Sequence, residues 1–100
     1  MIRVAVADDH AVVRAGLIRI IREHGQMEGV GEASTIDELL SMIRETECDM
    51  LLLDVNLHGT TSLEAMKTIR ASYPDVAILV LSMYPEDQYA IRFIKAGAAG

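Results

Sequence analysis

The sequence has little of what several protein classes require. Its one cysteine, Cys48, excludes an internal disulfide and fits a reducing compartment, and its place before an apolar run favours a buried small hydrophobe over a reactive thiol. Nine basic residues stand against 15 acidic ones, and the net charge of −6 argues against this chain holding nucleic acid or anionic lipid by itself.

Long apolar segments are also absent. The first apolar run, Ile2 to Ala7, is interrupted by Asp8 and Asp9, too soon for the core of a signal peptide. The run from Val76 to Leu81 is far shorter than the roughly 20 residues that a membrane-spanning helix needs. We therefore expect a cytoplasmic protein that does not contact the membrane.

What is present suits one small domain. A chain of 100 residues with 51% hydrophobic content can form a single core but is too short for two domains. We found no repeat, low-complexity tract or linker in it. Residues 1–100 are therefore expected to belong to a single domain.

Short apolar segments alternate with segments of helical periodicity. Strands are predicted at Ile2–Ala7, Met27–Ala33, Met50–Leu53 and Val76–Leu81. The helices between and after them are predicted from four apolar stripes: Val12, Val13, Leu17, Ile20 and Ile21; Ile36, Leu39, Leu40 and Ile43; Leu63, Met66 and Ile69; and Ile91, Phe93 and Ile94. Ser34 or Thr35 is expected to cap the second helix, and the third is expected to end before Tyr73 and Pro74. This alternation predicts an α/β fold with a doubly wound parallel sheet.

The C-terminal residues suggest an unfinished domain. Residues 96–100 read as a helix stop, at Gly97, followed by the approach to another strand. By ordinary element lengths, we expect a truncated domain that lacks about 20 residues, enough for one more strand and helix. A natural four-stranded domain with a glycine-rich tail is the alternative.

Polar residues follow three of the predicted strands where each strand ends. Asp8 and Asp9 follow Ala7, Asp54 follows Leu53, and Ser82 follows Leu81. Ligands of open parallel sheets bind outside the carboxyl ends of the strands, where the strand order reverses. If these strands are neighbours, the three carboxylates and the hydroxyl converge on one edge of the sheet.

Clustered carboxylates repel one another, and a divalent cation removes that repulsion. An all-oxygen set suits Mg²⁺, which commonly binds one or two carboxylates together with a phosphate. Such an ion also neutralises charge on a phosphoryl group transferred to a carboxylate. The pattern therefore predicts an acidic, Mg²⁺-dependent phosphoryl site. The structural alternative is that Asp8 or Asp9 caps the helix that begins near His10, and that Asp54 caps a loop.

At these residues the sequence resembles NarL/FixJ-type response regulators, whose output domain is of the LuxR type. The likeness runs through the whole chain, in blocks at residues 4–10, 13–17, 30–33, 52–56, 80–82 and 95–100. It implies a receiver domain with the flavodoxin-like (CheY-like) strand order 2-1-3-4-5, with the fifth strand and fifth helix missing from this chain. It also implies a two-component signalling function rather than an enzyme, although a receiver assists its own Mg²⁺-dependent phosphorylation and dephosphorylation.

The resemblance implies a role for each matching residue. Asp54 matches the aspartate that accepts the phosphoryl group from a sensor histidine kinase. Asp8 and Asp9 match the Mg²⁺-binding carboxylates, and Asn56 matches the position whose backbone carbonyl completes the metal site. Ser82 matches the hydroxyl that senses the phosphoryl group. The family further implies DNA binding through a C-terminal helix-turn-helix domain absent here, and it allows a homodimer.

Some positions depart from the family pattern. His58 stands where the family usually has proline, and Ser62 stands where it often has glycine. The family's lysine and switch aromatic would both fall beyond Gly100, so we expect weaker binding of metal and phosphoryl group here. His58 is read as a loop residue rather than a ligand, and His10 as a helix-entry residue rather than a catalytic one.

Two rival functions remain open. A phosphorylation-independent receiver acting as an interaction or dimerisation module is kept open by His58 and Ser62. A flavodoxin-like cofactor binder or a Mg²⁺-dependent phosphatase is the other. No hydroxyl- and glycine-rich loop follows the first strand, where two aspartates would repel a flavin phosphate.

Overall fold

In a computed structural model of the chain, strands and helices alternate as the sequence predicts. The structure describes residues 1–54, 57 and 62–81, and for residues 62 and 63 it describes only the backbone. Its elements are β1 (Ile2–Ala7), α1 (Ala11–His24), β2 (Met27–Ala33), α2 (Ile36–Glu45), β3 (Met50–Asp54), α3 (Ser62–Ser72) and β4 (Ala77–Leu81). The helix predicted near residue 91 lies outside the described residues. The four predicted strands are confirmed to within one residue at each end.

The four strands form one parallel sheet in the order β2-β1-β3-β4. This order confirms the first four positions of the expected order 2-1-3-4-5 and the doubly wound fold. After β1 the chain moves outward to β2, then returns across β1 to form β3 on its other side. The reversal of strand order therefore falls between β1 and β3.

Alternate residues of β1 face opposite layers of helices. Ala5 and Ala7 belong to the core beneath α2 and α3, while Val4 and Val6 pack with Ile18 and Ile21 of α1. These four of the six residues of β1 are at most 1% exposed. Helices thus cover both faces of β1, which explains why residues 4–7 are all apolar.

The predicted face of α1 was partly wrong. The structure buries Ile18, which the predicted stripe omitted, together with Ile21, whereas Val12 is 86% exposed and Ile20 is 61% exposed. Helical spacing allows several rotations when apolar residues occur all round a helix, and contact with β1 and β2 selects the face that carries Ile18 and Ile21. Gly25, with a φ of 82°, ends the helix in the left-handed conformation that glycine adopts most easily.

The other two helices follow their predictions more closely. In α2 the residues Ile36, Leu39 and Ile43 are buried, and the Thr35 hydroxyl caps the helix by accepting a 3.1 Å hydrogen bond from the Glu38 N–H. Helix α3 ends at Ser72, directly before Tyr73, as predicted. No helix among the described residues is long and apolar enough to cross a membrane.

A group of polar contacts, here called the polar clamp, joins the amino-terminal ends of β1 and β3. It lies at the opposite end of these strands from Asp8 and Asp54. The Arg3 guanidinium bonds Asp49 at 3.3 Å and Glu47 at 2.8 Å, and Asp49 also accepts a hydrogen bond from the Arg3 backbone N–H. The hydrogen bond from Arg3 holds the pKa of Asp49 below its ordinary value. The clamp fixes the entry to β3 relative to β1 and leaves the opposite ends of these strands free for chemistry.

Two neighbouring isoleucines of α1 test the face that the structure assigns to the core. Ile21→Ala should lower the free energy of unfolding by about 2–5 kcal/mol, because it leaves a cavity against β1. Ile20→Ala, the matched control, should change it by less than about 0.5 kcal/mol. Urea denaturation of the two variants measures both values, and an equal loss for the two residues would contradict the packing of α1.

Candidate functional site

The pairing of β1 with β3 sets the level of the acidic residues. Ala7 lies opposite Leu53 in this parallel pair, so Asp8 and Asp54 follow at the same edge of the sheet. The Asp8 N–H donates a 3.0 Å hydrogen bond to the Ala33 carbonyl at the end of β2, which fixes where β1 stops. The ends of three neighbouring strands, β2, β1 and β3, therefore fix the positions of Asp8 and Asp54.

Three carboxylates and one imidazole meet at this edge. One ligand atom from each of Asp8, Asp9, His10 and Asp54 lies within 4.8 Å of the others. Asp8 is only 3% exposed and Asp54 only 8% exposed. The expected convergence of Asp8, Asp9 and Asp54 is thus what the structure shows, and two of these three carboxylates are held almost out of solvent.

The geometry at the start of α1 weighs against the helix-cap interpretation of Asp8. The N-cap residue of α1 is His10, and no side chain caps through it. The Asp8 Oδ1 accepts a 2.8 Å hydrogen bond from the His10 N–H, before the helix begins. The Asp8 carboxylate therefore bonds the residue before the helix, and no hydrogen bond of it to an N–H of the first turn is recorded among the described residues.

His10 contributes more than helix entry. Its Nδ1 atom lies 3.1 Å from Asp8 Oδ1, 3.0 Å from Asp9 Oδ1 and 3.9 Å from Asp54 Oδ2. The hydrogen bond to Asp8, followed by the charge of Asp9, raises the pKa of His10 above its ordinary value. His10 is the N-cap of α1, as the helix-entry prediction has it, and its contact with the carboxylates is a feature that the sequence reasoning did not predict.

Arg14 is a site residue that the sequence reasoning missed. Its Nη1 donates a 2.7 Å hydrogen bond to the Asp8 carbonyl, and its Nε lies 3.1 Å from Glu32 Oε1. The side chain is only 22% exposed. Arg14 thus ties α1 and the end of β2 to the backbone that carries the acidic pair.

Between Asp54 and α3 the structure describes one residue, Leu57. Leu57, three residues after Asp54, is 5% exposed and belongs to the core beneath α2 and α3. Asn56, His58 and Ser82, and the side chain of Ser62, lie outside the described residues. Their predicted or open roles stay predictions.

The donor set is compatible with a hard divalent cation. Its carboxylate oxygens are the ligands that Mg²⁺ prefers, and three carboxylates around one point have a mutual repulsion that a cation offsets. Asp54 is also paired in register with Leu81 of β4, the residue that directly precedes Ser82. The fold therefore links the acidic cluster to the strand that leads to the predicted sensing hydroxyl.

Comparison with known proteins identifies the family. The family model described as the response regulator receiver domain matches residues 4–100. The chain belongs to this family. A receiver is a signalling domain rather than a catalytic one. Receiver domains generally have an acidic pocket, and the cluster of Asp8, Asp9, His10 and Asp54 is the candidate for it in this chain.

Curated relatives of this receiver are full-length response regulators. GacA of Pseudomonas viridiflava is 38% identical over 100 residues, which is all of this chain and 47% of that protein. UvrY of Escherichia coli K12 is 37% identical over 100 residues, again all of this chain and 46% of that protein. The chain thus spans about half the length of the curated relatives it matches.

Solved structures agree with the fold. A LuxR-family two-component response regulator from Aurantimonas sp. SI85-9A1 has a TM-score of 0.90 at 33% identity, over 98% of this receiver and 70% of that chain. The signal receiver domain of NarL from Mycobacterium tuberculosis has a TM-score of 0.89 at 29% identity, over 99% and 80% of the two chains. The fold and the NarL/FixJ resemblance are therefore confirmed.

Removing one charge from the acidic edge tests its electrostatics. With a chelator present, Asp54→Asn should raise the free energy of unfolding by about 1 kcal/mol or more, because it relieves repulsion and the burial of a charge. Asp75→Asn, at an exposed position, is the control and should have little effect. Thermal unfolding measures both. A destabilised Asp54→Asn would mean that its neighbours fully compensate the charge.

Proposed function

We propose that residues 1–100 act as one receiver domain that accepts a phosphoryl group from a sensor histidine kinase on Asp54. The observation that carries this proposal is the position of Asp54: its carboxylate ends β3, is 8% exposed, and lies among Asp8, Asp9 and His10. A carboxylate that is held in a fixed position and is slightly exposed to solvent suits transfer of a phosphoryl group from a partner protein.

The chemistry asks little of the receiver beyond position and charge. An Asp54 oxygen attacks phosphorus, an O–P bond forms, and the bond from phosphorus to the kinase's histidine nitrogen breaks with its electron pair going to that nitrogen. Phosphoryl transfer is promoted mainly by alignment and by offsetting charge on the phosphoryl oxygens. The strand pairing that fixes Asp54 beside β1 supports the alignment.

Asp8, Asp9 and Asp54 would hold a Mg²⁺ ion, with the Asn56 backbone carbonyl as the ligand that the family resemblance adds. When bound, such an ion offsets charge on the phosphoryl oxygens. In this proposal Arg14 acts as a positioning residue, since it holds the Asp8 carbonyl at 2.7 Å. The negative charge of Asp8 and Asp9 would repel other anions from Asp54 until a cation is bound.

The phosphoryl group would be sensed through β4. Asp54 pairs with Leu81 across the β3–β4 ladder, and Ser82 follows Leu81 in the chain. We propose that the Ser82 hydroxyl donates a hydrogen bond to a phosphoryl oxygen. This bond would shift the conformational equilibrium of the surface beyond β4. This would turn a local modification into a change that a partner can recognise.

The regulated output would lie outside this chain. Its relatives are about twice as long, and the net charge of −6 is unsuited to DNA binding by the receiver itself. We propose that a C-terminal helix-turn-helix domain of the full protein binds DNA in the cytoplasm, and that homodimerisation accompanies activation. The receiver would then act as the regulatory half of a transcription regulator.

Phosphorylation by acetyl phosphate tests the acceptor. A version of the chain extended with the C-terminal receiver segment of its GacA relative should gain one phosphoryl group in the presence of Mg²⁺. Asp54→Ala should abolish the gain, and Asp37→Ala, an exposed carboxylate of α2, should retain it. Intact-protein mass measures the outcome. An extended wild-type protein that takes up no phosphoryl group would contradict the proposal.

A further inference from the structure

The imidazole of His10 faces the same point as the three carboxylates. Its Nδ1 lies 3.0 Å from Asp9 Oδ1, 3.1 Å from Asp8 Oδ1 and 3.9 Å from Asp54 Oδ2. Ligand atoms bound to one octahedral ion at about 2.1 Å lie about 3.0 Å apart when adjacent and about 4.2 Å apart when opposite. The three distances from the nitrogen fall within this range, so the position of Nδ1 relative to each carboxylate suits a ligand of the same ion.

The position of the ring is fixed by the fold. The His10 N–H is held by Asp8 Oδ1 at 2.8 Å, and the residue begins α1 as its N-cap. The side chain is 59% exposed, which places the imidazole at the mouth of the cluster and the carboxylates of Asp8 and Asp54 behind it. An ion entering from solvent would meet the nitrogen on its way to the buried carboxylates.

We propose that His10 is a fourth side-chain ligand of this metal site and gives it a preference for Co²⁺ or Zn²⁺ over Mg²⁺. The proposal rests on the metal site of the proposed function and adds a nitrogen donor to it. Imidazole nitrogen suits borderline ions such as Co²⁺ and Zn²⁺, whereas Mg²⁺ is served by oxygen ligands. A mixed nitrogen and oxygen set therefore discriminates between ions that an all-carboxylate set treats more evenly.

The same distances also suit hydrogen bonds from His10 to the carboxylates. In that arrangement the ring would only orient Asp8 and Asp9, and its loss would weaken the binding of every ion by a similar factor. Removing a direct ligand has a different effect, because it lowers the affinity mainly for the ions that favour nitrogen. The comparison between ions, rather than affinity for any one of them, separates the two roles.

Calorimetric titration of the full chain with Mg²⁺, Co²⁺ and Zn²⁺ tests the proposal in four variants. His10→Ala removes the ring, and His10→Asn keeps an amide N–H near the position of Nδ1 without the imidazole donor. Both should lower the affinity for Co²⁺ and Zn²⁺ roughly tenfold or more, and that for Mg²⁺ by less than about threefold. His24→Ala, at the far end of α1, should change none of the three affinities.

The visible absorption of bound Co²⁺ locates the ion. It should change in both His10 variants and be lost in Asp9→Asn, the fourth variant. A Co²⁺ spectrum that survives Asp9→Asn, an equal loss of affinity for all three ions, or no loss in the His10 variants would overturn the inference while the Mg²⁺ site of the proposed function stands. A wild-type chain that binds none of the three ions would overturn both.

Discussion

The parallel pairing of β1 with β3 is the constraint on which the rest of the molecule depends. It exists because the chain places β2 on the far side of β1 before it returns, so β1 has a neighbour on both edges. Ala7 and Leu53 then end their strands at the same level, and the residues that follow them share one edge. No local sequence motif could bring Asp8 within reach of Asp54, 46 residues away.

Holding these carboxylates together has an electrostatic cost that the surrounding residues offset. Asp8 and Asp54 are nearly buried, and buried like charges destabilise a fold unless cations or hydrogen bonds compensate them. His10 lies against all three carboxylates, and Arg14 donates a hydrogen bond to the Asp8 carbonyl from the side of α1. Apolar packing on both faces of β1 supplies the rigidity that the site requires. The acidic edge is thus a locally unfavourable arrangement of the kind that is expected at functional sites.

Much of this arrangement could be predicted from the sequence because it depends on periodicity and on strand ends. Short, mostly apolar runs located every described strand, although the run of β2 was the weakest, and the polar residues directly after two of them located Asp8, Asp9 and Asp54. The rotation of α1 could not be predicted in the same way, since Val12, Val13 and Ile20 are as apolar as Ile18 and Ile21. Only contact with β1 and β2 decides which of them are buried.

The contributions of His10 and Arg14 escaped sequence reasoning for a related reason. A histidine beside two aspartates has many rotamers, and an arginine on an amphipathic helix usually extends into solvent. The direction of each side chain depends on where α1 begins over the sheet, which is a property of the folded molecule. Asn56 and Ser82 lie outside the described residues, so their roles rest on resemblance and stay predictions.

Locating the phosphoryl group on the chain would test the central claim most directly. Borohydride reduces an acyl phosphate on aspartate to an alcohol, and peptide mapping by mass spectrometry then identifies the residue that carried it. After treatment of the extended receiver with acetyl phosphate and Mg²⁺, we expect this product at position 54 and at no other carboxylate. Reduction at Asp8 or Asp9, with Asp54 unmodified, would contradict the account.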